Sequence, residues 1–146
     1  MDLVSSMHIS ATGLSAHRVR MNIIAMNMAN VNTTRTKDGG PYTRKITVHE
    51  AVPFKDRLVS AAATRQVAEK ERGVNVMEIT DSDDPYRLVF DPGHPDANED
   101  GYVTYPNVNT VNEMVNMMTA VRAYEANVTA LNAAKDMALK ALEIGR

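Results

Sequence analysis

The residues best suited to chemistry lie in the run Asp91-Pro92-Gly93-His94-Pro95-Asp96-Ala97-Asn98-Glu99-Asp100-Gly101. Asp96, Asn98 and Asp100 set side-chain oxygens at positions one, three and five of a calcium loop, with Gly101 at the sharp turn and Val103 at the apolar eighth position. Position twelve, which calls for a bidentate Glu, is Asn107. That substitution removes the two strongest ligand oxygens, and the residues after Gly101 read as a strand followed by Pro106 instead of a helix start. The segment therefore fits a hydrogen-bonded Asx-type connection better than a metal loop, with Asp96, Asn98 and Asp100 as the weaker alternative of a cation site. His94, with Asp91, Asp96 and Asp100, offers the ingredients of a hard-metal site or an acid/base pair. It lies between Gly93 and Pro95, and His8, His17 and His49 stand at no ligand spacing from it. A solvated turn histidine is the expectation.

Nothing elsewhere resembles a glycine-rich phosphate loop, a G-x-S-x-G elbow or an H-E-x-x-H helix. The 146 residues include no Cys, which excludes disulfides, thiolate metal sites and cysteine nucleophiles. A net charge of −2 with scattered Lys and Arg leaves no electrostatic footprint for nucleic acid or an anionic membrane. No apolar run approaches the ~18 residues needed to span a bilayer, and the start of the chain has no apolar stretch after a basic segment, so neither an anchor nor a cleaved leader is expected. The sequence thus predicts no enzyme, no cofactor and no small-molecule substrate.

The elements that frame this segment are two helices with heptad spacing. In the last forty residues Met114, Met117, Val121, Tyr124, Val128, Leu131, Lys135, Ala138 and Leu142 alternate three-four along one narrow stripe. At the other end Met7, Leu14, Met21 and Met28 repeat at seven, with Val4, Ala11 and Ala25 between them and Arg18 as the intruder. Stripes this narrow are seams of a coiled coil, so each helix predicts the other as its partner. Of the ten methionines, five stand on these seams, which suits surfaces that adapt to non-identical neighbours and equally suits simple gap filling. The first helix is expected over residues 2 to about 30, capped by Asp2 or by Ser5 or Ser6, and ends where Asn27, Asn30 and Asn32 compete with the backbone for hydrogen bonds. Thr110 with Glu113 reads as a capping box at the start of the second helix.

Between the helices the period changes to two. Asp38 to Pro41 is a turn cluster, and Tyr42, Arg44, Ile46 and Val48 alternate with polar residues as a half-exposed strand. Val74, Val76 and Ile79 mark a second strand after Gly73. Pro85 to Phe90 and Gly101 to Tyr105 mark two more, enclosing the acidic turn. The segment 51–72 has small apolar and charged residues and reads as an insertion or short helix. The architecture predicted is α+β: a helix over 1–32, a small central β-rich unit over 33–106 with a variable segment near 51–72, and a helix over 107–146, the two helices paired as a coiled coil.

Three stretches taken together, SATGLSAHRVRMNIIAMNMANVNTTRT, DPGHPDANEDGYVTYPNVN and EMVNMMTAVRAYEANVTALNAAKDMALKALEIG, resemble the flagellar basal-body rod proteins. The Asn27-Met28-Ala29-Asn30 run is shared by the wider family of axial flagellar proteins; His94-Pro95-Asp96, Gly101-Tyr102 and Pro106-Asn107 point to a proximal-rod member. The resemblance implies a structural subunit exported through the flagellar type III apparatus without a cleaved signal. It would assemble with copies of itself and with other rod subunits into the periplasm-spanning rod of the basal body and transmit motor torque. It also implies terminal helices buried in the rod wall and poorly ordered in the free subunit. The residues that would make that wall are Met7, Leu14, Met21, Met28, Met114, Val121, Tyr124, Val128 and Leu131. On the residues alone, a pair of helices leaves Ile9, Ile23, Ile24, Val111, Val115, Met118 and Leu139 apolar and uncovered, which asks for neighbouring subunits. The competing reading is a helical adaptor or scaffold whose β module is stiffened by calcium.

Overall fold

A computed structural model describes residues 3–37, 39–51 and 73–144 of the chain. Helix α1 spans Leu3–Ala29, strand β1 Lys45–Ala51, β2 Val74–Asp81, β3 Arg87–Phe90, β4 Tyr102–Tyr105, and helix α2 Thr110–Ile144. The α+β composition follows the change of period along the chain. The strand expected from Tyr42 begins three residues later: Tyr42 and Arg44 turn toward the helices, where they meet Asn27 and Glu113, and the ladder starts at Lys45. Pairing of β1 with β2 is antiparallel from Lys45 opposite Asp81 to Ala51 opposite Val74, with a bulge between Val48 and His49. In the second hairpin Arg87 faces Tyr105 and Phe90 faces Tyr102. The two hairpins form separate two-stranded sheets. Of the variable segment only Ala51 falls within the described residues.

The helices α1 and α2 pack against each other. Their direction follows from two facing pairs. A Cβ on Gly13 would lie 3.1 Å from Asn127 Nδ2, and Asn27 Nδ2 lies 3.4 Å from Glu113 Oε2. In both pairs the two residue numbers total 140, so the helices run antiparallel in constant register. Gly13 lowers helix propensity by about 1 kcal/mol relative to Ala, but it stands where Asn127 comes closest.

The seam differs in phase from the one the heptads predict. On α2 the half-buried Met117, Tyr124, Leu131 and Ala138 lie toward α1 as their spacing requires, but the alternate positions are Glu113, Ala120, Asn127 and Ala134, one residue before Met114, Val121, Val128 and Lys135. Met114 remains 49% and Val121 36% exposed. On α1 the seam is Gly13, Ala16, Ile23 and Asn27, whereas Met7, Leu14, Met21 and Met28 line a half-buried flank and Ala11 and Ala25 are exposed. Ile23 and Ile24, expected to be uncovered, are buried. Gly13, Ala16, Ala120 and Ala134 allow close approach of the two backbones, and Met114 and Val121 of the heptad stripe are displaced outward.

The helix ends match the sequence in part; Asp2, the first candidate cap of α1, lies outside the described residues. Ser5 and Ser6 lie within α1, so neither is its cap. At the start of α2, Asn109 Oδ1 accepts hydrogen bonds from the amides of Val111 and Asn112 at 3.0 and 3.2 Å, making Asn109 the N-cap. Glu113 is used elsewhere, and no Thr110–Glu113 box forms. At the end of α1, Asn30 Nδ2 donates to the Met26 carbonyl at 2.9 Å, which agrees with the reading of the asparagines as a stop.

Candidate assembly site: a buried polar joint between helices and strands

Where α1 ends, β1 begins and α2 starts, the chain buries a cluster of polar side chains. Asn27 and Glu113 are both 1% exposed. Burial of a carboxylate and an amide is costly unless each lone pair and proton is matched. Asn27 meets that condition fully. Its Oδ1 accepts from the Lys45 amide at 2.9 Å and from the Tyr42 hydroxyl at 2.8 Å, and its Nδ2 donates to the Lys45 carbonyl at 2.8 Å and, more weakly, to Glu113. The side chain thus pairs with both backbone groups of Lys45, as a neighbouring strand would, and fixes the first residue of β1 on the last turns of α1.

Glu113 joins the same point to α2. Its Oε1 accepts from Arg44 Nε at 2.9 Å and Nη2 at 2.7 Å, so the guanidinium edge grips one carboxylate oxygen while the other faces Asn27. Asp84 stands 3.9 Å from Arg44 Nη1 at the wetter side. Asn107 completes the cluster: its Oδ1 accepts from the Arg44 amide at 3.0 Å and its Nδ2 donates to the Asp84 carbonyl at 2.8 Å. Burial, with Asp81 and Glu113 nearby, raises the Tyr42 phenol above its ordinary pKa and keeps it a donor to Asn27.

The acidic turn is tied in separately. Thr34 Oγ1, after α1, donates to Asp96 Oδ2 at 2.8 Å, and the Asp96 amide donates to His94 Nδ1 at 3.1 Å. Asn98 Oδ1 accepts from the Tyr102 amide at 2.7 Å, and the two backbones also bond at 2.9 Å. This is the Asx-type connection expected of the segment, with the Asn98 oxygen already engaged. Gly101 adopts φ +80°, and a Cβ there would meet the Phe90 ring at 3.0 Å. Among the described residues no three His, Cys, Asp or Glu side chains group as a metal site. His94 packs edge-to-face with Tyr105 at 6.3 Å between ring centroids.

The structure therefore brings together Asn27 and Asn107, from motifs eighty residues apart, and links Asp96 to the first of them through Thr34. Ala29 and Asn30 remain at the helix end, Pro106 is buried beside Asn107, and Tyr102 faces outward. The sequence reading missed Arg44, assigned here as a strand residue, and gave Glu113 a capping role. Glu113 and Asn27 stand one residue off the heptad seams of the sequence and become seam positions only in the structure, so the heptads gave no signal for them. No nucleophile and base converge at the joint. It is a clamp that holds two helices and a strand in fixed register, beside an open cleft of about 180 Å³ lined by Arg20, Thr47 and His49.

Comparison with known proteins gives this clamp its context. Residues 99–144 match the family model described as flagellar basal body rod FlgEFG protein C-terminal, and residues 7–37 match that of the flagella basal body rod protein. The chain is 43% identical to the flagellar basal-body rod protein FlgC of Bacillus subtilis, over 97% of each chain. It is 41% identical to that of Borreliella burgdorferi, over 99% of this chain and 98% of the relative, and 40% identical to that of Escherichia coli O6:H1 over the whole of both. Arg44 and Asp84 lie outside both matched segments, whereas Asn27, Asn107 and Glu113 lie within them. Similarity of this extent over the full length shows that the chain belongs to the family of flagellar basal-body rod proteins.

Proposed function

We propose that the chain is a non-enzymatic structural subunit of the proximal rod of the bacterial flagellar basal body, assembling with copies of itself and with other rod subunits. In this reading it leaves the cell through the flagellar type III export apparatus, forms part of the rod that crosses the periplasm, and transmits motor torque. Its terminal helices make the rod wall in coiled-coil fashion. The wall contacts are Met7, Leu14, Met21, Met28, Met114, Val121, Tyr124, Val128 and Leu131, with the β unit of residues 33–106 lying outside them.

The observation that carries the reading is the division of labour on α2. Its inward seam alternates the half-buried Met117, Tyr124 and Leu131 with small or polar residues, whereas Val111, Met114, Val115 and Met118 are 68, 49, 52 and 57% exposed. A solvated helix has no reason to collect four large apolar residues within eight positions unless another surface covers them. The buried joint supports the mechanical part of the reading, because torque is transmitted only if helices and strands move as one body. Among the described residues no helix is long and apolar enough to cross a membrane, so these residues are not membrane spans.

Val121→Asp tests the proposal. A charge on that outward face is expected to prevent co-assembly with partner rod subunits, read by sedimentation and electron microscopy, and to abolish swarming when the variant replaces the native rod subunit. The far-UV and amide-exchange signature of β1–β4 stays as in the parent. Assembly of the variant at the parental concentration overturns the reading. Loss of the strands would show instead that Val121 belongs to the folding core.

A further inference from the structure

The exposed faces of the two helices match each other. The side of α1 turned away from α2 presents Ala11, Ser15, Arg18, Asn22, Ala25 and Ala29, all exposed and spaced alternately four and three. It is shallow apart from one arginine. The side of α2 turned away from α1 presents Val111, Met114, Met118, Val121 and Glu125, also at three-four spacing, bulky apart from one acid. Neither the Arg18 nor the Glu125 side chain has a hydrogen bond or ion pair among the described residues; the Glu125 carbonyl accepts from Thr129 Oγ1 within the helix. One stripe offers knobs and the other offers room for them, and each carries one charge of opposite sign in its seam.

We propose that the outward face of α2 docks antiparallel on the outward face of α1 of a second copy of this chain, in the register set by Glu125 against Arg18. That register places Met114 over Ala29, Met118 over Ala25 and Val121 over Asn22. A parallel arrangement with the same charge contact would set Thr129 on Asn22, Asn132 on Ala25 and Met114 on the bulky Met7, so that only Met118, over Ala11, would meet a small residue. The inference rests on the reading of the chain as a self-assembling rod subunit and adds which surfaces meet.

The register has a geometric consequence. Within one chain, facing residues of α1 and α2 total 140; between copies they total 143. Adjacent copies therefore lie side by side in the same direction, offset by three residues, about 4.5 Å along the helix axis. The two faces lie on different sides of the helix pair, so the contact is heterologous and repeats from copy to copy without pairing off. A lateral row that climbs by a small step per copy is the arrangement a continuous tube wall requires.

The absence of Cys from the chain allows a direct test by disulfide trapping in the full-length protein. With Ala25→Cys and Met118→Cys in one chain, oxidation of concentrated or co-assembled protein is expected to give a ladder extending beyond the dimer. Ala25→Cys with Asn132→Cys, the parallel register, is expected to give none. Arg18→Glu lowers the cross-linking rate about tenfold through like-charge contact with Glu125, and Arg18→Glu with Glu125→Arg restores it. A product that stops at the dimer, a ladder from the Asn132 pair, or cross-links only to another rod subunit overturns the proposed contact. Assembled rods with no ladder from the Ala25–Met118 pair overturn this contact alone; failure of the Cys-free parent to assemble under any condition overturns the rod reading with it.

Discussion

Arg44 and Glu113 should dominate the stability of the free subunit, and they should do so unequally. Glu113 is 1% exposed and Arg44 has 23% of its side chain exposed, with Asp84 at its solvent side. Truncating one partner of a buried ion pair costs about 3–5 kcal/mol, because the remaining charge loses its partner without regaining water. Arg44→Ala strands a fully buried carboxylate, so its cost is expected near 4 kcal/mol. Glu113→Ala leaves a guanidinium that reaches solvent and Asp84, which places it near 3 kcal/mol. For a chain of 146 residues these values correspond to a drop of about 10 °C in melting temperature. The double variant Arg44→Met, Glu113→Leu should cost less than either single change, since it removes both charges from the interior and keeps the volume filled. Urea unfolding of the parent, the single variants Arg44→Met and Glu113→Leu, and their combination, followed by far-UV circular dichroism at low concentration, closes the cycle. With single costs near 4 and 3 kcal/mol and a double cost below about 3 kcal/mol, the expected coupling exceeds about 4 kcal/mol. Single effects below about 1 kcal/mol that simply add in the double variant would refute the clamp.

Two further outcomes follow from the same packing. His49 is held below its ordinary pKa by burial, then by Arg20 and then by His17; the folded chain resists the proton that the unfolded chain accepts near pH 6.5, so stability is complete above that value and falls as pH drops below it. Arg20 and His17 of α1 are the charged and titratable groups that act on His49, and His49→Gln should flatten the acid side of the stability-pH profile measured by urea midpoints. Asn109→Ala should destabilise α2 by about 1 kcal/mol while Thr110→Ala changes stability by a few tenths, an ordering that reverses if Thr110 is the cap.

Much of the fold was legible because helix and strand periods are local properties. The four strands, both helices, the asparagine stop at Asn30 and the Asx connection at Asn98 each rest on residues within a few positions of one another. The clamp was not legible for the opposite reason: Arg44 meets Glu113 across 69 positions, and nothing near Arg44 distinguishes it from any other alternating strand residue. Glu113 was misread because a Thr and a Glu three apart satisfy the capping pattern, while the stronger contact was non-local. Asn109, one residue earlier, has the shorter reach to the first amides and takes the cap.

The one-residue error in the seam has a physical cause that bears on how mutants should be read. A helix used on two sides carries two stripes, and hydrophobicity selects the bulkier one. Here Val111, Met114, Val115 and Met118 of α2 face outward, and the stripe that closes the chain on itself combines Met117, Tyr124 and Leu131 with Glu113, Ala120, Asn127 and Ala134. Ala120 is 1% exposed and Val121 36%, although they are adjacent. Enlarging Ala120 pushes α1 and α2 apart and so acts on folding of the single chain; altering Val121 leaves that seam intact and acts where another surface meets the helix. A seam apolar at every position would have taken Met114, Val121 and Met118 inward as well and left little for a neighbour. The weak, polar-clamped hairpin keeps those residues outside, so the free energy of apolar burial is released on association instead of on folding.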